Sequence, residues 1–294
     1  MEQIKGIYAA SLSVLDTNLA LDCENTIKHA ENIIDMGCHG AVFFGSTGQS
    51  QLISLSEKIQ LINKLPSSRH KDKFIIGTGL NSLADNINLM KISKSMGFHT
   101  FLVMPPAYYK YGDEDVINFY SRIVNEINEC KIILYNFEKL SGYKFNKICV
   151  EKLISKFPKQ IIGVKDSSYN LYESLEKKNF SVMPGSESKL LKGLELGCSG
   201  IITATTNVTA SLARGVYESF ISKSSQILND KLCNIRAVFE KYNLISALHT
   251  FMSQKNENFN NILPPLKLLS DQDKSELLSD LKKLDFDIKN LKAV

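Results

Sequence analysis

The sequence carries none of the short signatures that declare a chemistry on their own. Its six cysteines (Cys23, Cys38, Cys130, Cys149, Cys198, Cys233) are scattered, and none stands in the C-x-x-C spacing that holds zinc or a redox disulfide. They read as small core residues in a reducing compartment. No strand end carries G-x-G-x-x-G, which an open doubly wound sheet with a dinucleotide site would need. No apolar run is long enough to span a bilayer, and the opening MEQIKGIYAASLSVLD lacks a basic segment followed by a long apolar one. The expectation is a soluble, cytoplasmic protein without a membrane partner. Charge of one sign is also scarce: 35 basic against 31 acidic residues leave +4, spread along the chain, and no basic run is interleaved with aromatics. A nucleic-acid partner is therefore not expected, and small-molecule chemistry becomes the better prior. Linkers rich in Gly, Pro or Ser and low-complexity tracts are missing too.

What is present is alternation. Short apolar, β-branched runs begin at Gly6 (GIYAASLSV), Gly40 (GAVFFG), Lys73 (KFIIGTG), Thr100 (TFLVMPP), Lys131 (KIILYN), Gln160 (QIIGVKD), Phe180 (FSVMP) and Gly200 (GIITATT). Each reads as a buried strand. Amphipathic stretches lie between them, at 24–36, 56–65, 83–96, 114–129, 146–157 and 188–196, and read as helices. Strand and helix in strict alternation, with eight strands, predict an α/β fold: a (β/α)8 TIM barrel with extra C-terminal helices. The chain is expected to be a single domain over 1–294, with barrel strands and helices in 1–210 and a closing helix and helical extension in 211–294. The clearest helices of that extension are 229–248 and 274–291.

In a barrel of this kind the active site lies at the C-terminal ends of the strands, so polar residues that end apolar runs carry most weight. Lys165 ends IIGVK, and plain alternation puts it on the face of Gly163 and Ile161, opposite Val164 and Ile162. If that face is the lumen, burial favours the neutral amine that attacks a ketone, and Gly163 leaves room below for a bound molecule. A solvated lysine at a strand end explains the position equally well. Tyr135 ends KIILY on the preceding strand, where a phenol beside a Schiff-base lysine shuttles protons; a core tyrosine is the plainer account. Gly45-Ser46-Thr47-Gly48-Gln49 follows AVFF, and its two hydroxyls and turn amides, Gly48 among them, suit the carboxylate of a 2-oxo acid. It is no Walker loop, since the spacing and the lysine are missing. Pro105-Pro106-Ala107-Tyr108-Tyr109 offers tyrosines for a site or a subunit boundary, and Gly185-Ser186-Glu187-Ser188 offers contacts for substrate hydroxyls.

GSTGQ, PPAYY, YN with a downstream SG, GVKDSS and GIITATTNV, in this order and at these strand ends, resemble the dihydrodipicolinate synthase / N-acetylneuraminate lyase family of pyruvate-dependent class I aldolases. The likeness covers nearly the whole chain. It implies an imine between Lys165 and pyruvate or another 2-oxo acid, with no metal and no cofactor. It implies Tyr135 as acid/base, Ser46 and Thr47 on the carboxylate with Ser46 in the proton relay, and the Ile202 carbonyl facing the site. Tyr109 or Tyr108 matches a tyrosine donated across a subunit interface, with Tyr109 a catalytic member of the proton relay, and the family's habit implies a homotetramer built as a dimer of dimers.

The departures narrow the substrate. Dihydrodipicolinate synthases resemble this stretch but place an arginine where Leu140 stands, and an apolar side chain cannot replace a bidentate carboxylate clamp. N-acetylneuraminate lyases share the leucine but carry G-Y-D-E where this chain has Gly185-Ser186-Glu187-Ser188, and a serine where it has Ala204. Between them lie the 2-keto-3-deoxy sugar acid aldolases, with Glu187 and Ser188 as hydroxyl contacts. Gln49 stands where the family usually has glutamate. A dehydratase acting on the same imine is the nearest alternative, and a synthase or N-acetylneuraminate lyase follows. Two readings come from other classes. One is a metal-dependent barrel, weakened because His29, His39, His70, His99 and His249 do not gather at strand ends. The other is a non-catalytic 2-oxo acid sensor, against which Lys165 and Tyr135 together argue.

Overall fold

The computed structural model describes residues 3–127, 129–175 and 178–288. In chain order the elements are β1 (Gly6–Ala10), α1 (Cys23–Asp35), β2 (Gly40–Phe43), α2 (Leu55–Lys64), β3 (Phe74–Gly77), α3 (Leu83–Ser95), β4 (Thr100–Val103), α4 (Asp113–Glu126), β5 (Lys131–Asn136), α5 (Glu138–Ser141) and α6 (Lys147–Lys156). They continue with β6 (Ile161–Asp166), β7 (Ser181–Pro184), α7 (Leu190–Glu195), β8 (Gly200–Thr203), α8 (Thr206–Ile221), α9 (Asn229–Glu240), α10 (Leu244–Met252) and α11 (Asp271–Lys283). Helix starts follow local chemistry. Asp22, Ser54, Ser82, Asn146, Asn243 and Ser270 each accept a backbone N–H of the first turn they precede, and Ser54 with Glu57 completes a capping box.

The strands are parallel in the order β7-β6-β5-β4-β3-β2-β1-β8, and the Ser199 N–H donates to the Val182 carbonyl at 2.9 Å between the two ends of that order. The result is a (β/α)8 TIM barrel with C-terminal helices. Val42, Ile75, Leu102, Ile133, Met183 and Ile202 fill the lumen. The alternate residues Ala41, Phe43, Ile76, Phe101, Leu134 and Val164 pack outward under the helices. Helices α9, α10 and α11 bury Ile235, Phe239, Leu248, Phe251, Leu277 and Leu281 against Leu12, Val14 and Val208, beside the C-terminal end of β8.

Four departures from the sequence pattern bear on the site. First, β6 holds a bulge: Ile132 pairs with Ile161 but Ile133 with Gly163, so Ile162 is an extra residue. Ile161 therefore faces outward and Ile162 joins the lumen, the reverse of simple alternation, while Lys165 still faces inward beside Tyr135. A Cβ on Gly163 would meet the Ser181 carbonyl oxygen at 2.6 Å. That glycine serves the close approach of β7 and opens no room for a ligand.

Second, strict alternation fails between β6 and β7, where no α-helix forms among the described residues. The Asp166 carboxylate accepts the N–H groups of Leu171 and Tyr172 at 2.8 and 2.9 Å, and Asn136 donates to both Asp166 and Asn170. Side-chain acceptors offered to the backbone this way compete with helix formation. Third, the stretch 229–248 is two helices, because Asn243 accepts the amides of Ile245 and Ser246 and starts α10 anew. Fourth, the closing helix starts at Thr206, ahead of Ser211, and the last helix ends at Lys283; of the stretch expected to be helical to 291, positions 289–291 lie outside the described residues.

Candidate active site

Tyr135 and Lys165 are paired neighbours on β5 and β6, which places both side chains at the C-terminal mouth of the lumen. Lys165 is 3% exposed and Tyr135 5%. The Lys165 Nζ donates to the Tyr135 Oη at 3.2 Å, and the same phenol oxygen lies 3.2 Å from the Ser46 Oγ. Nζ also sits 4.3 Å from the centre of the tyrosine ring, over its aromatic face. Amine, phenol and hydroxyl form one continuous chain along which a proton can pass.

These three groups border a cavity of about 450 Å³. Thr47 borders it beside Ser46, both carried on a single turn of 3₁₀ helix over Ser46–Gly48. The Gly48 amide closes that turn onto the Gly45 carbonyl at 3.0 Å, and its own carbonyl accepts from the Ser13 Oγ at 2.7 Å. Gly48 is thus spent on the turn and is absent from the cavity wall, so the carboxylate contacts expected here fall to Ser46 and Thr47. Gln49 ends the turn at φ 56° and ties it to α10: its Nε2 lies 3.3 Å from the His249 Nε2, and its Oε1 accepts the Leu263 N–H at 2.8 Å. His249 gives its Nδ1–H to the Phe259 carbonyl at 3.1 Å, and burial lowers its pKa to about 4. A neutral imidazole accepting from an amide is the consistent arrangement, which accounts for glutamine at this position.

Two other expectations are relocated. Glu187 is fully buried outside the cavity, where its carboxylate meets Arg236 at 3.1 Å and the Thr203 hydroxyl at 2.8 Å. The exposed Ser188 is bonded to the Ser186 hydroxyl, also away from the wall. A buried carboxylate needs its cation more than a ligand, which is why the polar turn faces inward. Tyr108 and Tyr109 stand 90% and 74% exposed, ring against ring at 5.2 Å, with Tyr108 at φ 86°; neither reaches the cavity of its own chain. Ile202 lies in the lumen core at full burial.

The sequence reading missed much of the wall. Phe137, Ser167, Ser168, Tyr169, Arg236, Glu240, Asn243, Leu244 and Ile245 all contribute beside the expected Leu140. One signal was available: Arg236 lies on the buried stripe of α9 with Leu232 and Phe239, a charge in an apolar face. Tyr169 stays a neutral phenol, because burial pushes its pKa up. Among the described residues no group of three or more His, Cys, Asp or Glu side chains is placed to hold a metal ion. No helix among them is long and apolar enough to cross a membrane.

A model of the dihydrodipicolinate synthetase family matches residues 3–284. The chain belongs to that family. It is an enzyme of a family of lyases and aldolases, and its curated relatives bear several different activities. An "uncharacterized DapA-like lyase" of Chloroflexus aurantiacus is 28% identical over 75% of this chain and 76% of the relative. A 2-dehydro-3-deoxy-D-gluconate/2-dehydro-3-deoxy-phosphogluconate aldolase of Picrophilus torridus is 27% identical over 76% and 85%. A 4-hydroxy-tetrahydrodipicolinate synthase of Methanopyrus kandleri is 26% identical over 96% and 97%. Among solved structures, YagE of Escherichia coli, a protein of this family in complex with pyruvate, superposes with a TM-score of 0.87 at 21% identity, covering 97% of this chain and all of that one. At that identity the likeness speaks for the fold.

Proposed function

We propose that the protein is a class I aldolase that interconverts pyruvate plus an aldehyde with a 2-keto-3-deoxy sugar acid through an imine on Lys165. The observation that carries this reading is the chain Lys165 Nζ, Tyr135 Oη, Ser46 Oγ at the edge of the cavity, with the amine and the phenol buried. The amine attacks the C2 carbonyl carbon of the oxo acid, and water leaves with protons delivered through Tyr135. In the cleavage direction the C3–C4 bond breaks, its electron pair passes into the enamine, and the C4 hydroxyl gives its proton to Tyr135 as the aldehyde departs. The enamine is then protonated at C3, and water hydrolyses the imine to release pyruvate and free Lys165. Ser46 and Thr47 hold the carboxylate so that the reacting carbons meet in one orientation.

Leu140 borders the cavity with an apolar side chain, which supports a sugar-acid substrate over one whose second carboxylate must be clamped. The reaction needs no metal or organic cofactor. The exposed Tyr108–Tyr109 pair suits a contact between subunits of a homotetramer, and the buried free cysteines suit a reducing, cytoplasmic setting. The test is incubation with pyruvate and borohydride followed by peptide mass mapping. A reduced adduct on Lys165, lost in Lys165→Arg, is expected; an adduct elsewhere, or none, overturns the proposal.

A further inference from the structure

Resting on the aldolase reading, the polar edge of the cavity made by α9 and the start of α10 has a role that the pyruvate chemistry leaves unexplained. Arg236 is 5% exposed and borders the cavity. Its Nη1 donates to Glu187, Thr203 and Thr205 at 3.1, 3.0 and 3.2 Å, and its Nε to the Glu240 Oε1 at 2.7 Å. The Nη2 group takes no part in these bonds. Glu240 keeps its Oε2, and Asn243, whose Oδ1 caps α10, keeps its Nδ2. One edge of the wall thus combines four free N–H donors, on Arg236 and Asn243, with a carboxylate oxygen.

We propose that Arg236, Glu240 and Asn243 form the subsite that selects the aldehyde, taking an uncharged, hydroxylated chain end and disfavouring a phosphorylated or carboxylated one. A hydroxyl both donates and accepts, so vicinal hydroxyls can satisfy this mixed set, whereas an anion can use only its donors. The charge count agrees. The Arg236 guanidinium is already met by two carboxylates, Glu187 from behind and Glu240 at the cavity. Apart from Lys165, the other charged residues on the wall are Glu138 and Lys139, which lie on α5 and not on the Arg236 edge, and Glu138 is bridged to Lys144 at 2.8 Å. A phosphate drawn to Arg236 would come to rest beside Glu240, and like charges set together are penalised. The apolar Leu140, Leu244 and Ile245 remain to cover the carbon chain.

The test compares kcat/KM for condensation of saturating pyruvate with glyceraldehyde, propanal and glyceraldehyde 3-phosphate, in the wild-type protein and in Glu240→Gln. Glu240 is half-exposed, and a glutamine oxygen can still accept from Arg236, so the fold should tolerate the change. The wild type is expected to favour glyceraldehyde over both other aldehydes by about tenfold or more. Glu240→Gln should narrow the preference against the phosphorylated aldehyde about tenfold, through its KM, by removing one negative charge. Equal or better use of the phosphorylated aldehyde by the wild type, or a ratio unmoved by Glu240→Gln, overturns the subsite. The borohydride label from pyruvate, read on the same preparations, separates the two failures. A labelled Lys165 with the wrong aldehyde preference removes the subsite alone, and an unlabelled Lys165 removes the aldolase reading and the subsite with it.

Discussion

Replacing Gln49 by glutamate exchanges one NH2 for one oxygen in a side chain that is 2% exposed, yet it reverses the logic of the contact with His249. In the native protein the amide donates to the imidazole Nε2 and its oxygen accepts the Leu263 N–H. A carboxylate would keep the second bond but set an acceptor against an acceptor, and the pair could be satisfied only by taking up a proton. Drawing that proton from solution at pH 8 and rebuilding the buried contact around it costs about 2–4 kcal/mol. For a chain of this size that is roughly 3–6 °C of apparent Tm. The sign with pH follows from proton counting. Unfolded Gln49→Glu has shed its His249 proton above the ordinary histidine pKa of 6.5, whereas the folded variant retains one in the pair. Its stability therefore falls as pH rises beyond 6.5, by up to about 1.4 kcal/mol per unit. Wild type behaves in the opposite sense. His29 and His249, both held at about 4 by burial, stay neutral in the fold while the unfolded chain protonates, so its stability drops as pH falls from 6.5 toward 4. Urea unfolding followed by far-ultraviolet circular dichroism at pH 5.5, 7 and 8.5 reads both slopes. A gap between the two proteins that is the same at all three values would refute the neutral-imidazole account.

Further expectations follow from the same kind of counting. Lys58 is fully buried on the carbonyls of Thr78 and Gly79, and burial lowers its pKa from 10.5 to about 8. Its desolvation penalty is complete below pH 8 and is relieved up to pH 10.5, so stability should rise across that window by about 3 kcal/mol, a rise that Lys58→Met removes in the same urea titration. Tyr135→Phe should lower kcat by about 10²–10⁴-fold with the fold intact, as measured by aldol cleavage and circular dichroism; a loss below tenfold would take the phenol out of the proton relay. Glu187→Ala leaves the buried Arg236 cation without its one fully buried carboxylate partner and should cost about 3–5 kcal/mol in unfolding. A variant of native stability with only a raised KM would instead return Glu187 to the substrate.

Much of this molecule was legible in one dimension because the relevant interactions are local. Eight short β-branched runs separated by capped amphipathic stretches determine a barrel, and the barrel rule points to strand ends, which is how Lys165, Tyr135, Ser46 and Thr47 were singled out. Whether Glu187 turns toward solvent, ligand or core depended on Arg236, 49 positions away, and no periodicity reports such a partner. The cavity edge from α9 and α10 was hidden for the same reason, with one exception. Asn243 directly ahead of the apolar Leu244 and Ile245 is a helix-start signal, and the break it causes in 229–248 is what brings Asn243, Leu244 and Ile245 to the site. Gly48 was misjudged because a glycine next to hydroxyls suits a ligand cradle and a tight turn alike.

The extra residue at Ile162 divides β6 into two segments that count their faces separately. Above it, three residues from Gly163 to Lys165 set the direction of the nucleophile; below it, Ile161 keeps step with Ile132 on the outer face. A change of hydrophobic pattern beneath the bulge therefore leaves Lys165 aimed into the lumen, whereas gaining or losing a single residue between 163 and 165 would rotate the amine out of the barrel. The packing of Ile161 under the helices and the aim of the reactive end are thus set separately.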